Sequence, residues 1–214
     1  MRLIVGMSGA SGVIYGIRLL EVLRAAPDVE THLVMTPAAR QTIGLETDWA
    51  PGDVAALADV CHRFRDIAAA PSSGSFHTDG MIVAPCSMRT VSSIAISAND
   101  NLLTRAADVT LKERRRLVLV ARETPLHLGH LRLLTQAAEI GAVIAPPAPA
   151  FYHRPDSLAD MVDYTVLRLL DLFGMKVPDQ DSRRWSGPTA AEPAPPHLKP
   201  LGNSGQIGRR ARLS

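Results

Sequence analysis

The chain lacks the features that mark secreted, membrane-spanning and nucleic-acid-binding proteins. Its 214 residues include only two cysteines, too few for a disulfide framework, and this fits a reducing compartment. No apolar run reaches the roughly 18 residues that a membrane helix needs, and Met1-Arg2 leads into an apolar strand pattern rather than a signal sequence. The formal net charge is only +2, so no general attraction to nucleic acid is expected. These absences predict a cytoplasmic protein that binds no nucleic acid and inserts into no membrane.

Short apolar runs typical of strands alternate along the chain with segments of helical periodicity. The strand patterns lie at 3–5, 32–35, 81–84, 117–121 and 142–145. The helical patterns lie at 13–25, 38–46, 53–62, 88–98, 127–139 and 157–173. The alternation predicts an α/β fold of the Rossmann-like or flavodoxin-like kind, with three layers and a parallel sheet between helices.

The composition changes near the end of the chain. Arg183-Arg184-Trp185 is followed by a run rich in proline, alanine and glycine that ends in Arg209-Arg210-Ala211-Arg212. We therefore predict one folded domain at 1–185 and a mobile tail at 186–214 without a core of its own. Within the domain, 67–79 is predicted to be a long loop, and such loops are often functional.

A glycine-rich turn follows the first predicted strand. The apolar run Leu3-Ile4-Val5 leads into Gly6-Met7-Ser8-Gly9-Ala10-Ser11-Gly12, and a helical pattern begins at Val13. Glycines let a ligand approach the backbone, and the free amides and dipole at a helix start favour an anion, so the turn is a candidate phosphate site. An ordinary tight turn between a strand and a helix is the alternative.

Three absences narrow the choice of ligand. No lysine follows the glycines, so the turn is not a P-loop. The glycines at 6, 9 and 12 do not have the G-x-G-x-x-G spacing of dinucleotide-binding proteins. Thr36 ends the second predicted strand, where a dinucleotide fold offers an acidic side chain to a ribose. A hydroxyl at that place suits a phosphate or a polyol better.

The carboxyl ends of parallel strands open on one edge of the sheet, where ligands bind in open α/β folds. All five segments that follow the predicted strands are polar, glycine-bearing or shaped by proline: Gly6–Gly12, Thr36, Pro85–Thr90, Arg122–Pro125 and Pro146–Arg154. Ser87 and Thr90 flank a helix start and predict a second cradle for an anion or polyol, with plain N-capping by Ser87 as the alternative. Arg122 can clamp a phosphate, and a structural ion pair is its competing role.

Other basic residues are candidate phosphate ligands. Arg168 interrupts an otherwise apolar helical pattern, so we expect it to be partly shielded and to have an anionic partner. Arg105 and Lys112 are seven residues apart and share a helical face if 105–112 is one helix. A solvated helix end is the alternative for this pair.

Histidine and cysteine do not predict a metal centre. His127 and His130 lie three residues apart, but no Cys/His cluster at suitable spacing supplies further ligands. Cys86 would need an adjacent base to act as a nucleophile, and the sequence identifies none, so we interpret it as a small apolar core residue.

Taken together, these segments resemble the flavin prenyltransferases, the UbiX-like family. The matching motifs occur in the same order as in the family from residue 1 to about residue 185, and the match does not cover the tail. The motifs that carry it are Met7-Ser8-Gly9-Ala10-Ser11-Gly12 with Tyr15-Gly16, Pro85-Cys86-Ser87-Met88-Arg89-Thr90, Asn101–Val109, Leu111–Arg115, Leu117–Pro125 and Phe151-Tyr152-His153.

The resemblance implies an enzyme that joins a dimethylallyl group from dimethylallyl monophosphate to reduced FMN. New bonds form at flavin N5 and C6 and close a fourth ring, and the product serves a UbiD-like decarboxylase. The flavin is then a substrate as well as a cofactor. Thr36 departs from the family's frequent serine but keeps the hydroxyl. The residues implied for FMN are Gly9, Ala10, Ser11, Thr36, Ser87, Met88, Arg89, Thr90 and Arg122.

The resemblance also implies the prenyl site. The prenyl phosphate is assigned to Lys112, Arg122, Tyr152 and Arg168, with Arg105 and Glu123 nearby. Trp185 resembles an aromatic residue that closes over the substrate. The candidates for catalytic roles are Ser11, Glu46 and Glu123, the first two for moving protons at N5 and C6.

Members of the family form large symmetric assemblies with the site between subunits. The resemblance therefore implies a homo-oligomer, a dodecamer, in which some of these groups act across an interface. Prenyl transfer from a diphosphate ordinarily uses Mg²⁺ held by aspartate-rich motifs, and this chain has no D-D-x-x-D. Fixed arginine and lysine side chains can instead neutralise a monophosphate leaving group, so no metal is expected.

Three rival functions fit the same residues less well. Ser97–Leu102 is faintly similar to the Asn-bearing loop of FMN-dependent peptidyl- or pantothenoyl-cysteine decarboxylases, but Ala38–Glu46 lacks the histidine that those enzymes need. The second rival is a non-catalytic FMN-binding subunit, which would not need the combination of Arg122, Glu123, Tyr152 and Arg168. Generic nucleotide binding is opposed by the missing lysine and the missing acidic marker.

Overall fold

Six parallel strands form the centre of the protein in the computed structural model, which describes residues 1–176. The strand order across the sheet is β3-β2-β1-β4-β5-β6. Because the chain moves outward in both directions from β1 and β4, the topological switch point, where open α/β folds bind ligands, lies between these two strands. The strands are β1 Arg2–Met7, β2 Glu30–Met35, β3 Val60–His62, β4 Gly80–Cys86, β5 Arg116–Ala121 and β6 Ala142–Ile144.

Helices cover both faces of the sheet, as the alternating pattern predicts. One core joins the sheet to α1, α2, α3 and α7, and the other joins it to α4, α5 and α6. Within β5, Val118 and Val120 belong to the first core, while Leu117 and Leu119 belong to the second. The helices are α1 Val13–Arg24, α2 Pro37–Glu46, α3 Pro51–Ala55, α4 Met88–Ala95, α5 Leu102–Lys112, α6 Leu128–Glu139 and α7 Leu158–Asp171.

Burial on two faces explains why the central strands have continuous apolar runs. All seven residues of β4 are buried, and only Arg2 of β1 and Arg116 of β5 are not. Strands that are covered by helices on both sides have this pattern in parallel sheets. The predicted three-layer α/β fold is therefore confirmed.

The prediction of one helix over 53–62 is wrong. Helix α3 ends at Ala55, and Val60–His62 forms the edge strand β3, which pairs in parallel with β2 through His32–Val34. A three-residue strand is too short to show a period of two in the sequence, so the local pattern could not identify it. Residues 105–112 do belong to one continuous helix, α5, so Arg105 and Lys112 share a helical face.

The predicted loop 67–79 is held against the end of α5 by two arginines. Arg115 donates hydrogen bonds to the carbonyl oxygens of Gly74 (2.7 Å) and Phe76 (2.9 Å). Arg105 donates to the carbonyl oxygen of Ser72 (3.2 Å). Both side chains therefore have structural partners. None of the helices within residues 1–176 is long and apolar enough to cross a membrane.

Candidate functional site

Ser8 joins two loops at the carboxyl edge of the sheet. Its buried hydroxyl donates to the carbonyl oxygen of Pro85 (3.0 Å) and accepts from the backbone amide of Ser87 (2.7 Å). The turn after β1 is thereby tied to the loop between β4 and α4. The same turn contacts α2, since a Cβ atom added to Gly9 would lie 2.3 Å from Ala38 Cβ. Three of the loops with candidate residues therefore meet at the switch point, as predicted.

Hydroxyl groups cap the two helices that begin at this edge after β2 and β4. Thr36 accepts a hydrogen bond from the Ala39 amide (3.0 Å), and Ser87 accepts one from the Thr90 amide (3.3 Å). The Ser87 and Thr90 hydroxyls are also within hydrogen-bond distance of each other (3.1 Å). The capping role considered for Ser87 is thus present. A hydroxyl oxygen has two lone pairs and a proton, so capping leaves it able to contact a ligand.

Glu46 occupies the anion-binding end of α1. Its Oε2 atom accepts hydrogen bonds from the backbone amides of Gly12 (2.8 Å) and Val13 (3.2 Å). Gly12 has φ +98°, a left-handed conformation that glycine adopts without the steric cost of a Cβ atom. Glu46 is the last residue of α2, so this contact joins the ends of two helices.

The surroundings of Glu46 stabilise its charged form. Partial burial acts to raise the pKa of this carboxyl group, but three effects oppose it: the hydrogen bond from the Ser11 side chain, the two amide bonds and the charge of Arg122. The net result is a pKa below the usual value of 4.5. A carboxylate is therefore held where the helix dipole favours an anion.

A cleft of about 930 Å³ opens beside these groups. Ser11, Glu46 and Arg122 all lie along it. No carboxylate among residues 1–176 forms an ion pair with Arg122, so the structural ion-pair role is not seen there and the charge is available to an anion. Apolar residues and prolines form much of the remaining wall: Ile14, Trp49, Pro147, Pro149, Leu158, Met161 and Val162.

A second polar group lies on α7 and in the loop before it. The Tyr152 hydroxyl is hydrogen-bonded to the Tyr164 hydroxyl, and His153 stacks on the Tyr164 ring with 4.2 Å between centroids. Arg168, one helical turn after Tyr164, forms an ion pair with Asp171, so its expected anionic partner is present. The expected shielding of Arg168 is not seen, because its side chain is 57% exposed, and most of it is open to a ligand.

Lys112 does not join Arg122 within one chain. Lys112 is the last residue of α5, close to the amino end of β5, and Arg122 follows the carboxyl end of that strand. A six-residue strand spans about 20 Å, so the two cations lie at opposite edges of the sheet. Lys112 forms an ion pair with Glu113 (2.5 Å), and Arg105 forms one with Asp108 (3.1 Å).

The remaining predicted residues have simpler surroundings. Met88 and Thr90 are buried in the first turn of α4, while Arg89 is exposed there. Glu123 is exposed, and its carboxylate accepts from the Thr124 amide (3.1 Å). Trp185 and the predicted tail at 186–214 lie outside the described residues.

The residues considered for metal binding or nucleophilic attack have structural roles. Cys86 is fully buried, and desolvation raises the pKa of its thiol, which confirms its interpretation as a core residue. His127 caps α6 by accepting from the His130 amide (3.3 Å). Within residues 1–176, no three His, Cys, Asp or Glu side chains form a group that could hold a metal ion.

Sequence reasoning missed Ser8 and Tyr164. In the sequence, Ser8 is one member of a small-residue turn, and only its hydroxyl at the end of a buried strand hints at the bonds to Pro85 and Ser87. Tyr164 had no local signal, because its contact with Tyr152 depends on how the loop folds back on α7.

Comparisons with known proteins agree on one family. The Flavoprotein family model matches residues 1–167. The chain is 66% identical over 186 residues to flavin prenyltransferase UbiX of Escherichia coli strain K12, a match that covers 87% of this chain and 98% of that protein. It is 57% identical to flavin prenyltransferase UbiX of Thauera aromatica, with 87% and 95% covered.

Two solved structures have the same fold at high sequence identity. The dodecameric FMN-dependent UbiX-like decarboxylase of Escherichia coli O157:H7 superposes with a TM-score of 0.84 at 52% identity, covering 87% of this chain and 100% of that one. The structure of AnUbiX (PadA1) in complex with FMN and dimethylallyl pyrophosphate also gives 0.84 at 52% identity, with 88% and 98% covered.

Proposed function

The chain belongs to the flavin prenyltransferases of the Flavoprotein family, and we propose that it transfers a dimethylallyl group from dimethylallyl monophosphate to reduced FMN. The carbon–oxygen bond to phosphate breaks as the dimethylallyl group bonds to N5 of the flavin. The double bond of that group is consumed in closing the ring at C6, and the proton displaced from the flavin leaves on the phosphate. The product is used by a UbiD-like decarboxylase. The observation that carries the proposal is the cleft in which Ser11, Glu46 and Arg122 lie beside an apolar wall. That cleft combines a place for an anion with a place for a prenyl chain.

The carboxyl edge fits the polar part of FMN. Thr36, Ser87 and Thr90 present hydroxyls at two helix starts, and α1 already holds a carboxylate at its first amides. The hydroxyls are the donors that a phosphate and a ribityl chain require, whereas the first α1 amides, which the sequence offered to a phosphate, already bind Glu46. When bound and reduced, FMN supplies the nucleophilic positions for the transfer. The proposed FMN residues are Gly9, Ala10, Ser11, Thr36, Ser87, Met88, Arg89, Thr90 and Arg122.

Ser11 and Glu46 are proposed to handle protons as a pair. Because Glu46 is held ionised, it accepts a hydrogen bond from the Ser11 hydroxyl. The lone pairs of the Ser11 oxygen are then left to accept a hydrogen bond from another donor. Ser11 can then accept a hydrogen bond from an N–H group in the cleft. The low pKa of Glu46 makes it a weak base, so it orients Ser11 more than it removes a proton. Glu123 remains a third proposed catalytic group.

Fixed cations are proposed to take the place of a metal at the prenyl phosphate. Arg122 and Arg168 each have a charged group that is open to solvent, and Tyr152 adds a hydroxyl. Charge on the departing phosphate is stabilised when such donors are already in position. Arg105, Lys112 and Trp185 are the other proposed contacts. The apolar wall shields the reacting carbon from water.

A second copy of the chain is proposed to supply Lys112 and Arg105. In one chain, Lys112 is separated from Arg122 by the length of β5, about 20 Å. A symmetric homo-oligomer can place α5 of one subunit against the carboxyl edge of another. The dodecameric UbiX-like structure supports this proposal.

The proposed function is tested by mass measurement of the flavin. Purified protein is incubated without oxygen, in the presence of a metal chelator, with reduced FMN and dimethylallyl monophosphate. We expect the flavin to gain one five-carbon prenyl unit, and none to be gained with oxidised FMN. Dimethylallyl pyrophosphate, the compound bound in the AnUbiX structure, is tested in parallel. Failure of both donors to modify reduced FMN would disprove the proposal.

A further inference from the structure

Tyr164 is a residue of α7 whose hydroxyl meets that of Tyr152. The two rings are nearly perpendicular, with an interplanar angle of 88° and 6.0 Å between centroids. Their hydroxyls are hydrogen-bonded to each other. Arg168 follows Tyr164 by four positions, so the two side chains lie on the same side of α7. The charge of Arg168 also acts on the pKa of Tyr164, which places the two groups near each other.

The ring of Tyr164 is held independently of its hydroxyl. His153 stacks on it with 4.2 Å between centroids and 25° between planes, and the same imidazole meets Tyr152 edge-on at 5.2 Å. Both ring nitrogens of His153 are buried and have no hydrogen-bond partner among residues 1–176. His153 therefore acts there through packing. A phenylalanine at 164 would keep this stack and lose only the hydrogen bond.

The hydroxyl pair has a definite order of donors if Tyr152 binds an anion. A phenol carries one proton, and an anionic oxygen can only accept. Tyr152 must then direct its proton to the anion and accept from Tyr164. Burial, followed by the bond to Tyr152, raises the pKa of Tyr164, so this phenol keeps its proton at neutral pH. A donor behind Tyr152 also polarises its hydroxyl and strengthens its bond to the anion.

We propose that Tyr164 is a positioning residue for the prenyl phosphate. It donates to the Tyr152 oxygen, fixes the rotation of that hydroxyl, and so directs the Tyr152 proton to the phosphate beside Arg168. This inference rests on the proposed function, in which Tyr152 and Arg168 contact the donor. Tyr164 does not touch the substrate.

The test compares three variants of the full-length protein: Tyr164→Phe, Tyr152→Phe and the double variant. Tyr164→Phe is expected to raise KM for dimethylallyl monophosphate about fivefold, the equivalent of one ordinary hydrogen bond. The dissociation constant for FMN and the thermal unfolding midpoint should stay near wild type. Because Tyr164 acts through Tyr152, the KM of the double variant for dimethylallyl monophosphate should be no higher than that of Tyr152→Phe.

Thr135→Val serves as the control for losing a hydroxyl. Thr135 is exposed on α6, and its hydroxyl bonds only within that helix, to the carbonyl oxygen of Leu131. The KM of Thr135→Val for dimethylallyl monophosphate should equal that of the wild type. An unchanged KM in Tyr164→Phe, or additive losses in the double variant, would overturn the assignment of Tyr164 while leaving the proposed function intact. A wild-type protein that forms no prenylated flavin would overturn both.

Discussion

Glu46 shows how one side chain can organise residues from separate helices. Its carboxylate receives the amides of Gly12 and Val13 and the hydroxyl of Ser11, so the end of α2 fixes the start of α1. The contact places a negative charge at the positive end of a helix dipole. The starting turn of α1 and the end of α2 are therefore stabilised by the same group.

Replacing Glu46 with glutamine should change stability in a pH-dependent way. Since the pKa of Glu46 is lowered on folding, its charge stabilises the protein above the usual value of 4.5 and ceases to do so as pH falls through the lower folded value. We expect Glu46→Gln to cost about 0.5 kcal/mol near pH 7, and this cost to shrink as the pH falls further below 4.5. Urea unfolding of the wild type and the variant at several pH values measures the loss of stability near pH 7 and its decrease at lower pH. A loss that is equal at all pH values would mean that the charge is not involved.

Loss of the Ser8 hydroxyl should be more costly, because the bond it makes is buried. Ser8→Ala removes the buried bond to the Pro85 carbonyl oxygen and leaves the partly buried Ser87 amide without its partner, a loss of about 1 kcal/mol or more. FMN binding should weaken as well, since the loops after β1 and β4 are no longer tied together. Chemical unfolding and flavin titration measure the two effects. Ser73→Ala, an exposed hydroxyl bonded to Ser75, is the control and should change stability by less than about 0.5 kcal/mol.

At the level of the elements, α1 approaches the sheet closely at Gly16. A Cβ atom there would lie 2.2 Å from the carbonyl oxygen of Ala84 in β4 and 2.9 Å from Met7 Cε. Backbone cannot move aside as a flexible side chain can. The glycine therefore sets the distance between α1 and the two strands that border the switch point.

Gly16→Ala should destabilise the protein by about 1–3 kcal/mol, because it overpacks this contact. Gly44→Ala is a matched control, since Gly44 is also in a helix but has nothing within 4 Å of its added Cβ atom. That change should be neutral or stabilise by up to about 1 kcal/mol, as alanine favours helix. Thermal unfolding distinguishes the two variants. Equal effects would show that Gly16 does not determine the packing of α1.

At the scale of the whole molecule, the separation of Lys112 from Arg122 makes a prediction about assembly. If α5 of one chain completes the site of another, each site takes Lys112 from one chain and Arg168 from the other. Lys112→Ala and Arg168→Ala then damage contributions from two different chains. Each variant alone should be nearly inactive. Co-expression of the two should restore about a quarter of the wild-type activity, since random assembly leaves that share of sites with both side chains.

The control for this experiment co-expresses Lys112→Ala with Arg105→Ala. Both residues lie on α5, so each site receives one defective helix and no activity should return. Activity of purified mixed assemblies, isolated through two different tags, gives the measurement. Absence of recovery in the first mixture would show that each chain builds its site alone.

The main features of the fold could be predicted because they depend on local patterns. The central strands have continuous apolar runs, and the helix predicted to begin at Val13 after the glycine-rich turn begins there. Strand β3 could not be predicted, because three residues have no usable periodicity and pairing with β2 alone makes them a strand.

The alternation of strand and helix patterns, the glycine-rich turn and the Ser87 cap follow from residues within a few positions of one another, so the amino-acid sequence alone was enough to predict them. Resemblance to the family added the proposed roles of the candidate site residues. Only the tertiary structure decided that Ser8 meets Ser87, that Glu46 meets Gly12, and that Tyr152 meets Tyr164. It also decided that Lys112 and Arg122 lie apart. These relations depend on strand order and helix packing, which join residues far apart in the chain and leave no local pattern.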